Sequence, residues 1–475
     1  MASDIKKVVI IGGGITGLTT AFYLQKWIRE RELPLEIKLI EASHRLGGKM
    51  QTVVRDGFTI ERGPDSFLAR KTSMIRLAKE VGMEGELVHN STGTSYVLVN
   101  EQLFSMPGGS IMGIPTKLGP FVTTGLFSIP GKIRAAADFI LPKSESGKDQ
   151  SLGEFFRRRL GDEVVENLIE PLLSGIYAGD IDQLSLMSTF PQFYEVEQKY
   201  RSLIIGMKKS SAPQPAKTVK SSEKAKGAFL TFKTGLQSFA EAIEAHLDPK
   251  VVLKGHRVKK IAKAGQEYEL YLNNGEMLPA DAIVAATPHK ITQTMFSDYR
   301  FFDPFKSVPS TSVATVALAF PEEAVMKDID GTGFVVTRNS DYTITACTWT
   351  HKKWAHSTPK GKVLLRCYVG RAGDETIVDL SDDQIVKIVL DDLSKTMDIT
   401  MEPDFAIVSR WNNSMPQYTV GHKQRLETIN KHIAEELPGV FLAGSSYGGV
   451  GMPDCVDQGE AAVKKILLHF NFPLE

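Results

Sequence analysis

Apolar positions come first in a short unbroken run, Val8 to Ile11, which empties into Gly12. β-branched and bounded by a glycine turn, it predicts a strand. Leu35 to Ile40, apolar except at Glu36 and Lys38, predicts a second. Leu18 to Arg29 between them reads as a helix, so the chain opens strand, glycine turn, helix, strand. Later the spacing becomes helical. Ser151 and Glu154 offer a capping-box start to a helix carrying Leu152, Phe155, Phe156 and Leu160. A second helix is expected from Asp162 to about Leu173, followed by a small-residue turn over Ser174 to Asp180. Phe229 to Phe232 predicts a strand, and Gly235 opens a helix to about His246. Val258 and Ile261 lie on a strand, Asn274-Gly275 supplies a hairpin turn, and the run from Asp281 is a buried strand. Val313–Phe320, Phe334–Thr337, Thr343–Trp349 and Val363–Val369 predict a mixed sheet, covered by a helix from about Ser381 to Met397. Val440 to Leu442 is a last strand before a glycine-rich helix start.

Two stretches have no clean period. Residues 103 to 141 are rich in Gly, Pro, Phe, Ile and Leu, which predicts short helical pieces. They are open to three readings: cavity lining, an element lying on a membrane surface, or packed core. Residues 208 to 227 are basic and rich in Ser and Pro, too polar to repay the entropy of ordering, and read as a mobile linker.

Charge narrows the field. Lys+Arg and Asp+Glu are both 56 in 475 residues, so the balance gives no argument for nucleic acid or a strongly acidic membrane. A chain of this length has room for two to four domains. Cys347, Cys367 and Cys455 are far apart, which predicts neither disulfides nor a metal site and favours a reducing compartment. The first strand begins at once, leaving no room for a signal peptide, and no unbroken apolar run reaches about 18 residues. A soluble cytoplasmic protein is expected.

The chemistry concentrates in glycines. Gly12 permits a tight turn, Gly14 lets backbone approach a pyrophosphate, and Gly17 lets the helix pack closely on the strand. The intervening Gly13, Ile15 and Thr16 present backbone N–H groups at the helix N-terminus, where the dipole favours an anion. Glu41 ends the second strand where an acidic residue meets a ribose hydroxyl. Together these residues predict dinucleotide binding. Glu41-Ala42 leads to Arg45 and then Gly47-Gly48-Lys49. A turn at Gly63-Pro64-Asp65-Ser66 follows the strand Phe58–Glu61, and Arg70 and Lys71 lie just past it. Near the end, Gly444 is followed by Gly448-Gly449-Val450-Gly451-Met452.

The pattern ExxxRxGGxxxT, from Glu41 to Thr52, resembles the glycine doublet of the flavin amine oxidase superfamily. The phrases ERGPDSFL, SLGEFFRRRLGDEVVENLIEPLLSGIYAGD and GVGMPDCVDQG resemble one branch of it more closely: the oxygen-dependent porphyrinogen oxidases of Gram-positive bacteria. The resemblance covers almost the whole chain. It implies an α/β fold with a Rossmann-type domain for non-covalent FAD, assembled from residues 1–75, 229–300 and 406–475. An α+β substrate domain would have a helical subdomain at 76–228, a candidate for membrane association, and a mixed sheet at 301–405.

It further implies that Arg45 and the doublet contact FAD phosphates, that Gly63 to Ser66 lie along the flavin ring, and that backbone at Val258 meets the adenine. Trp411 would lie near the flavin, and Gly444 and Val450 to Met452 would close the site. Arg70 and Lys71 are candidates for a substrate carboxylate, and Ile176 for the cavity wall. The implied reaction is six-electron oxidation of coproporphyrinogen III, with protoporphyrinogen IX also accepted and dioxygen reduced to hydrogen peroxide. The product would pass towards haem, with ferrochelatase a candidate recipient and peripheral membrane contact a candidate association. No metal or nucleic-acid partner is implied, and no general base is evident: His289, His351 and His422 read as structural or exposed. An amine oxidase, a phytoene-type desaturase and a porphyrin-carrying flavoprotein without turnover are the alternatives.

Overall fold

Strand β1 (Lys6–Ile11) alternates between two cores. Val8 and Ile10 join an apolar cluster with the helix that follows, while Val9 and Ile11 join a second cluster on the opposite face. This double burial explains why the run lacks polar alternation. The computed structural model describes residues 5–474 except Thr92, 211–226 and Asp328. The chain divides into two compact units: residues 1–89, 228–308 and 424–475 in the first, and 90–227 and 309–423 in the second.

In the first unit β1 leads into α1 (Ile15–Arg31) and then β2 (Leu35–Glu41). The remaining strands of the parallel sheet come from far along the chain: β3 (Val252–Lys254), β4 (Ala282–Ala285) and β5 (Val440–Leu442). The order is β3-β2-β1-β4-β5, all parallel. Helix α2 (Met452–His469) packs on α1, and Val456, Val463 and Ile466 share the core with Leu18 and Phe22. The fit is close: a Cβ on Gly459 would stand 2.8 Å from the Thr16 carbonyl oxygen. An antiparallel meander, Val258–Ala264, Glu267–Leu272 and Met277–Ala280, joins β3 to β4, with Asn274-Gly275 at its second turn.

The second unit holds a seven-stranded mixed sheet. Its order is Phe405–Pro416, Ser310–Pro321, Lys362–Val369, Ile344–Trp349, Gly333–Val336, Tyr96–Val99 and Gln102–Ser105. The covering helix Asp382–Met397 starts at a complete capping box between Ser381 and Gln384. At Ser151 only half of the expected box forms, the hydroxyl accepting from the Glu154 amide at 3.1 Å.

Three local expectations change. The helix from Asp162 continues to Tyr177 through a wide-turn segment, Val165–Ile169, and takes in Ser174 to Ile176 instead of turning there. Buried Leu173 and Tyr177, four residues apart, supply packing that outweighs the local glycine. The stretch from 103 begins as a strand because Gln102–Ser105 pairs with Tyr96–Val99, and the helical pieces come later, at Leu118–Thr123, Ile129–Ala136 and a short 3-10 turn at Ala137–Phe139. Lys208 to Ser210, expected in the linker, end a helix; the body of that linker lies outside the described residues.

A charged knot sits inside the second unit. Arg159 is fully buried and donates to Glu197 through Nε at 2.7 Å and Nη2 at 2.5 Å. Its Nη1 lies 3.3 Å from Asp138, whose carboxylate accepts from the Leu203 and Ile204 amides. No helix among the described residues is long and apolar enough to cross a membrane.

Candidate active site

At the C-terminal end of β1 the glycines act as the spacing predicts. Gly12 has φ 106°, and a Cβ there would stand 2.7 Å from the Ala286 carbonyl oxygen. Gly17 is tighter, since its Cβ would meet the Gly12 carbonyl oxygen at 1.9 Å. Gly14 differs, because a Cβ there would meet nothing within 4 Å. It is also the N-cap of α1, with no side-chain cap and no acid in the first turn. The helix N-terminus therefore faces open space with its amide donors uncapped, an arrangement suited to an anion.

The second glycine loop docks on the first. The Gly47 amide donates to the Gly13 carbonyl at 2.8 Å, and a Cβ on Gly48 (φ 57°) would approach Gly14 Cα to 3.2 Å. Glu41 ties both loops together: one oxygen accepts from the Gly13 amide and the other from the Ser43 amide, each at 2.7 Å. Each oxygen retains a lone pair for a hydroxyl. Arg45 donates to the carbonyls of Leu46, Gly48 and Met50, which makes it a clamp on the doublet turn. Ala42 is exposed beside Glu41.

The closing segment completes the cluster. Gly444 (φ 117°) lies against Thr16, and its amide donates to Gln458 Oε1 at 2.9 Å. Helix α2 starts at Gly451 without a side-chain cap; Met452 is buried behind it, and Val450 is half-exposed. The Asp454 carboxylate packs against Gly449 and Gly451 and accepts an ion pair from Lys71. Burial holds the Lys49 ammonium below its ordinary range. Burial likewise pushes the Cys455 thiol up to about 11, leaving it neutral and unsuited to act as a nucleophile.

Val258 is buried just after His256, whose amide donates to the Glu41 carbonyl at 3.0 Å. Gly63 to Ser66 form a half-buried turn in which the Ser66 hydroxyl donates to Asp65. Arg70 is exposed and makes no ion pair among the described residues. In the second unit Ile176 is an exposed residue near a helix end, and Trp411 is half-buried on Phe405–Pro416 opposite Val313, beside an irregularity in the register.

Of the histidines, His289 bridges Ser446 Oγ and the Val308 carbonyl, His351 bonds the Leu364 carbonyl, and His422 stacks on Tyr418. Sequence reasoning missed Asp454 and Gln458, the acid and amide that hold the closing glycines. The signal was their place in the first two turns of a helix opened by GVGMP.

A parallel sheet with paired glycine loops and two uncapped helix N-termini is a frame suited to a dinucleotide. The chain belongs to the flavin-containing amine oxidoreductase family, whose pattern matches residues 15–467. Within it, the chain is 59% identical to coproporphyrinogen III oxidase of Bacillus subtilis over 469 residues, 99% of each chain. It is 46% identical to coproporphyrinogen III oxidase of Staphylococcus aureus, over 97% of this chain and 99% of that one. A crystal structure from Exiguobacterium sp. 255-15, described there as a candidate protoporphyrinogen oxidase, superposes with a TM-score of 0.86. It is 39% identical over 98% of this chain and 99% of that chain.

Proposed function

We propose that this protein is an FAD-dependent oxidase that converts coproporphyrinogen III to coproporphyrin III in haem biosynthesis. It accepts protoporphyrinogen IX as well and reduces dioxygen to hydrogen peroxide. The observation that carries this reading is the 59% identity, spanning 99% of both chains, with the Bacillus subtilis coproporphyrinogen III oxidase. Bound FAD supplies the hydride-accepting ring, so no nucleophile or metal is required of the protein.

The chain's own groups bind and orient. The uncapped α1 N-terminus at Gly14 and Ile15 takes the pyrophosphate, and Glu41 takes a ribose hydroxyl. Arg45 fixes the turn that brings Gly48 against Gly14, so the backbone approaches the phosphates without a side chain intervening. Backbone at Val258 borders the adenine, and Gly63 to Ser66 border the ring. The α2 N-terminus at Gly451 and Met452 directs its partial positive charge to the end of the cofactor that accumulates electrons. Exposed Arg70 is the candidate for a propionate, Ile176 for the cavity wall and Trp411 for a neighbour of the flavin. With FAD bound, holding a meso carbon of the substrate in place would be the chain's main contribution to catalysis.

Anaerobic mixing tests the reading. Coproporphyrinogen III should bleach the bound flavin and yield porphyrin fluorescence. Bleaching by amines but by neither porphyrinogen would return the chain to the amine oxidases.

A further inference from the structure

The two uncapped helix N-termini of the first unit differ in charge. α1 has no acid in its first turn, whereas α2 carries Asp454 there, beyond its N-cap Gly451. An acid at that place ordinarily stabilises a helix through the dipole. Here a cation stands against it, because Asp454 Oδ1 is paired with the Lys71 ammonium. Oδ2 turns into the closing loop: a Cβ on Gly451 would stand 2.6 Å from it, and one on Gly449 3.4 Å. The two glycines leave the carboxylate room beside the loop backbone.

The lysine is anchored where it can act on that turn. The Ser73 hydroxyl donates to the Pro453 carbonyl at 3.0 Å, so the segment after Phe67–Leu68 meets the start of α2 at two points. The next residue of the helix registers both signs of charge. Burial is the main cause of the raised Cys455 thiol pKa; Asp454 adds to it, and Lys49 and Lys71 oppose it.

We infer that Lys71 and Asp454 form a charge-balancing pair that sets the reduction potential of the flavin, Asp454 lowering it and Lys71 raising it. The inference rests on the proposed placement of the electron-accumulating end of the cofactor at the α2 N-terminus. Reduction adds negative charge to the ring, so a neighbouring anion opposes it and a neighbouring cation favours it. With both present the two effects offset, and the amides of the helix N-terminus keep the larger influence. Both side chains are partly exposed, so solvent and salt keep each separate effect modest.

Reduction potentials of the FAD-loaded enzyme and its variants, measured anaerobically against a reference dye with FAD in excess, test it. Asp454→Asn should raise the two-electron potential and Lys71→Met should lower it. Each shift should be about 30 mV, the equivalent of a tenfold change in the reduction equilibrium. The double variant should return close to the wild-type value, and Lys71→Arg should stay there. A pair that only ties two segments together would move both single variants the same way or not at all. Either result overturns the inference, as does loss of flavin from both single variants. If only one of them loses flavin, the sign of the shift in the other decides. A wild type bleached by neither porphyrinogen would defeat the substrate reading while the potentials still decide this one; a wild type that holds no FAD would defeat both.

Discussion

Lys71 and Asp454, 383 positions apart in the chain, form an ion pair that ties the segment after the strand Phe67–Leu68 to the first turn of α2. Asp454 in turn packs against Gly449 and Gly451, so Lys71 neutralises the acid beside the closing loop. Lys71 is thereby engaged within the protein, while Arg70 remains exposed.

The two cations should therefore separate on mutation. Arg70→Ala is expected to raise KM for coproporphyrinogen III severalfold, and less for protoporphyrinogen IX, which has fewer propionates. Lys71→Met should act mainly through retention of flavin. The pair is partly exposed, so its loss should cost under about 1 kcal/mol in urea denaturation. Equal KM effects of both substitutions on both porphyrinogens would contradict this division.

The glycines of the first loop should not be equivalent. Gly17→Ala puts a Cβ on the Gly12 carbonyl and should destabilise the apoprotein by about 3 kcal/mol or more. Gly14→Ala meets open space and should leave apoprotein stability within about 0.5 kcal/mol. Its added methyl would stand where a pyrophosphate approaches, so FAD affinity should fall about tenfold or more. Denaturation of both apoproteins, followed by flavin titration of the Gly14 variant, separates the two effects.

Acid should weaken the first unit through His289. Nε2–H donates to the Val308 carbonyl and Nδ1 accepts from Ser446, so the ring is held neutral, and burial lowers its pKa from the ordinary 6.5. The unfolded chain then binds a proton that the folded chain refuses. Stability is complete above about pH 6.5 and falls with pH below it, until the folded pKa is reached. His289→Gln should flatten that part of the stability–pH curve. An unchanged slope would show that other groups set it.

In the second unit, Arg159→Met should cost about 3–5 kcal/mol, because Glu197 and Asp138 would keep buried charge without their central partner. Pairing it with Glu197→Leu should recover part of the loss. Denaturant midpoints for the single and double variants measure this, and strictly additive losses would argue against a coupled knot.

β1 was legible because burial on both faces writes itself as an unbroken apolar run, Val8 to Ile11, whereas β3, Val252–Lys254, is only partly buried and left no such run to read. The glycine loops were legible because Gly12 and Gly17 are positions where no side chain fits. What stayed hidden depended on distant partners. Gln102–Ser105 is a strand only because Tyr96–Val99 lies beside it, and the turn expected at Ser174 is helix because Leu173 and Tyr177 are packed. Neither Arg45 clamping its own turn nor Asp454 answering Lys71 leaves a trace in local spacing. Arg157, Arg158 and Arg159 are adjacent in the sequence, and only the fold brings Glu197 and Asp138 around Arg159.

The packing of α2 on α1 has a consequence for how the protein matures. Thr20 of α1 meets Gly459 of α2 across 439 positions, and the glycine loops between these helices draw on residues 12–17, 41–49 and 444–459. The nascent chain must hold α1 with one flank bare through most of synthesis, since its partner is translated so much later. With the cofactor held by these loops as proposed, its capture follows the pairing of the chain's two ends and is a late event of assembly.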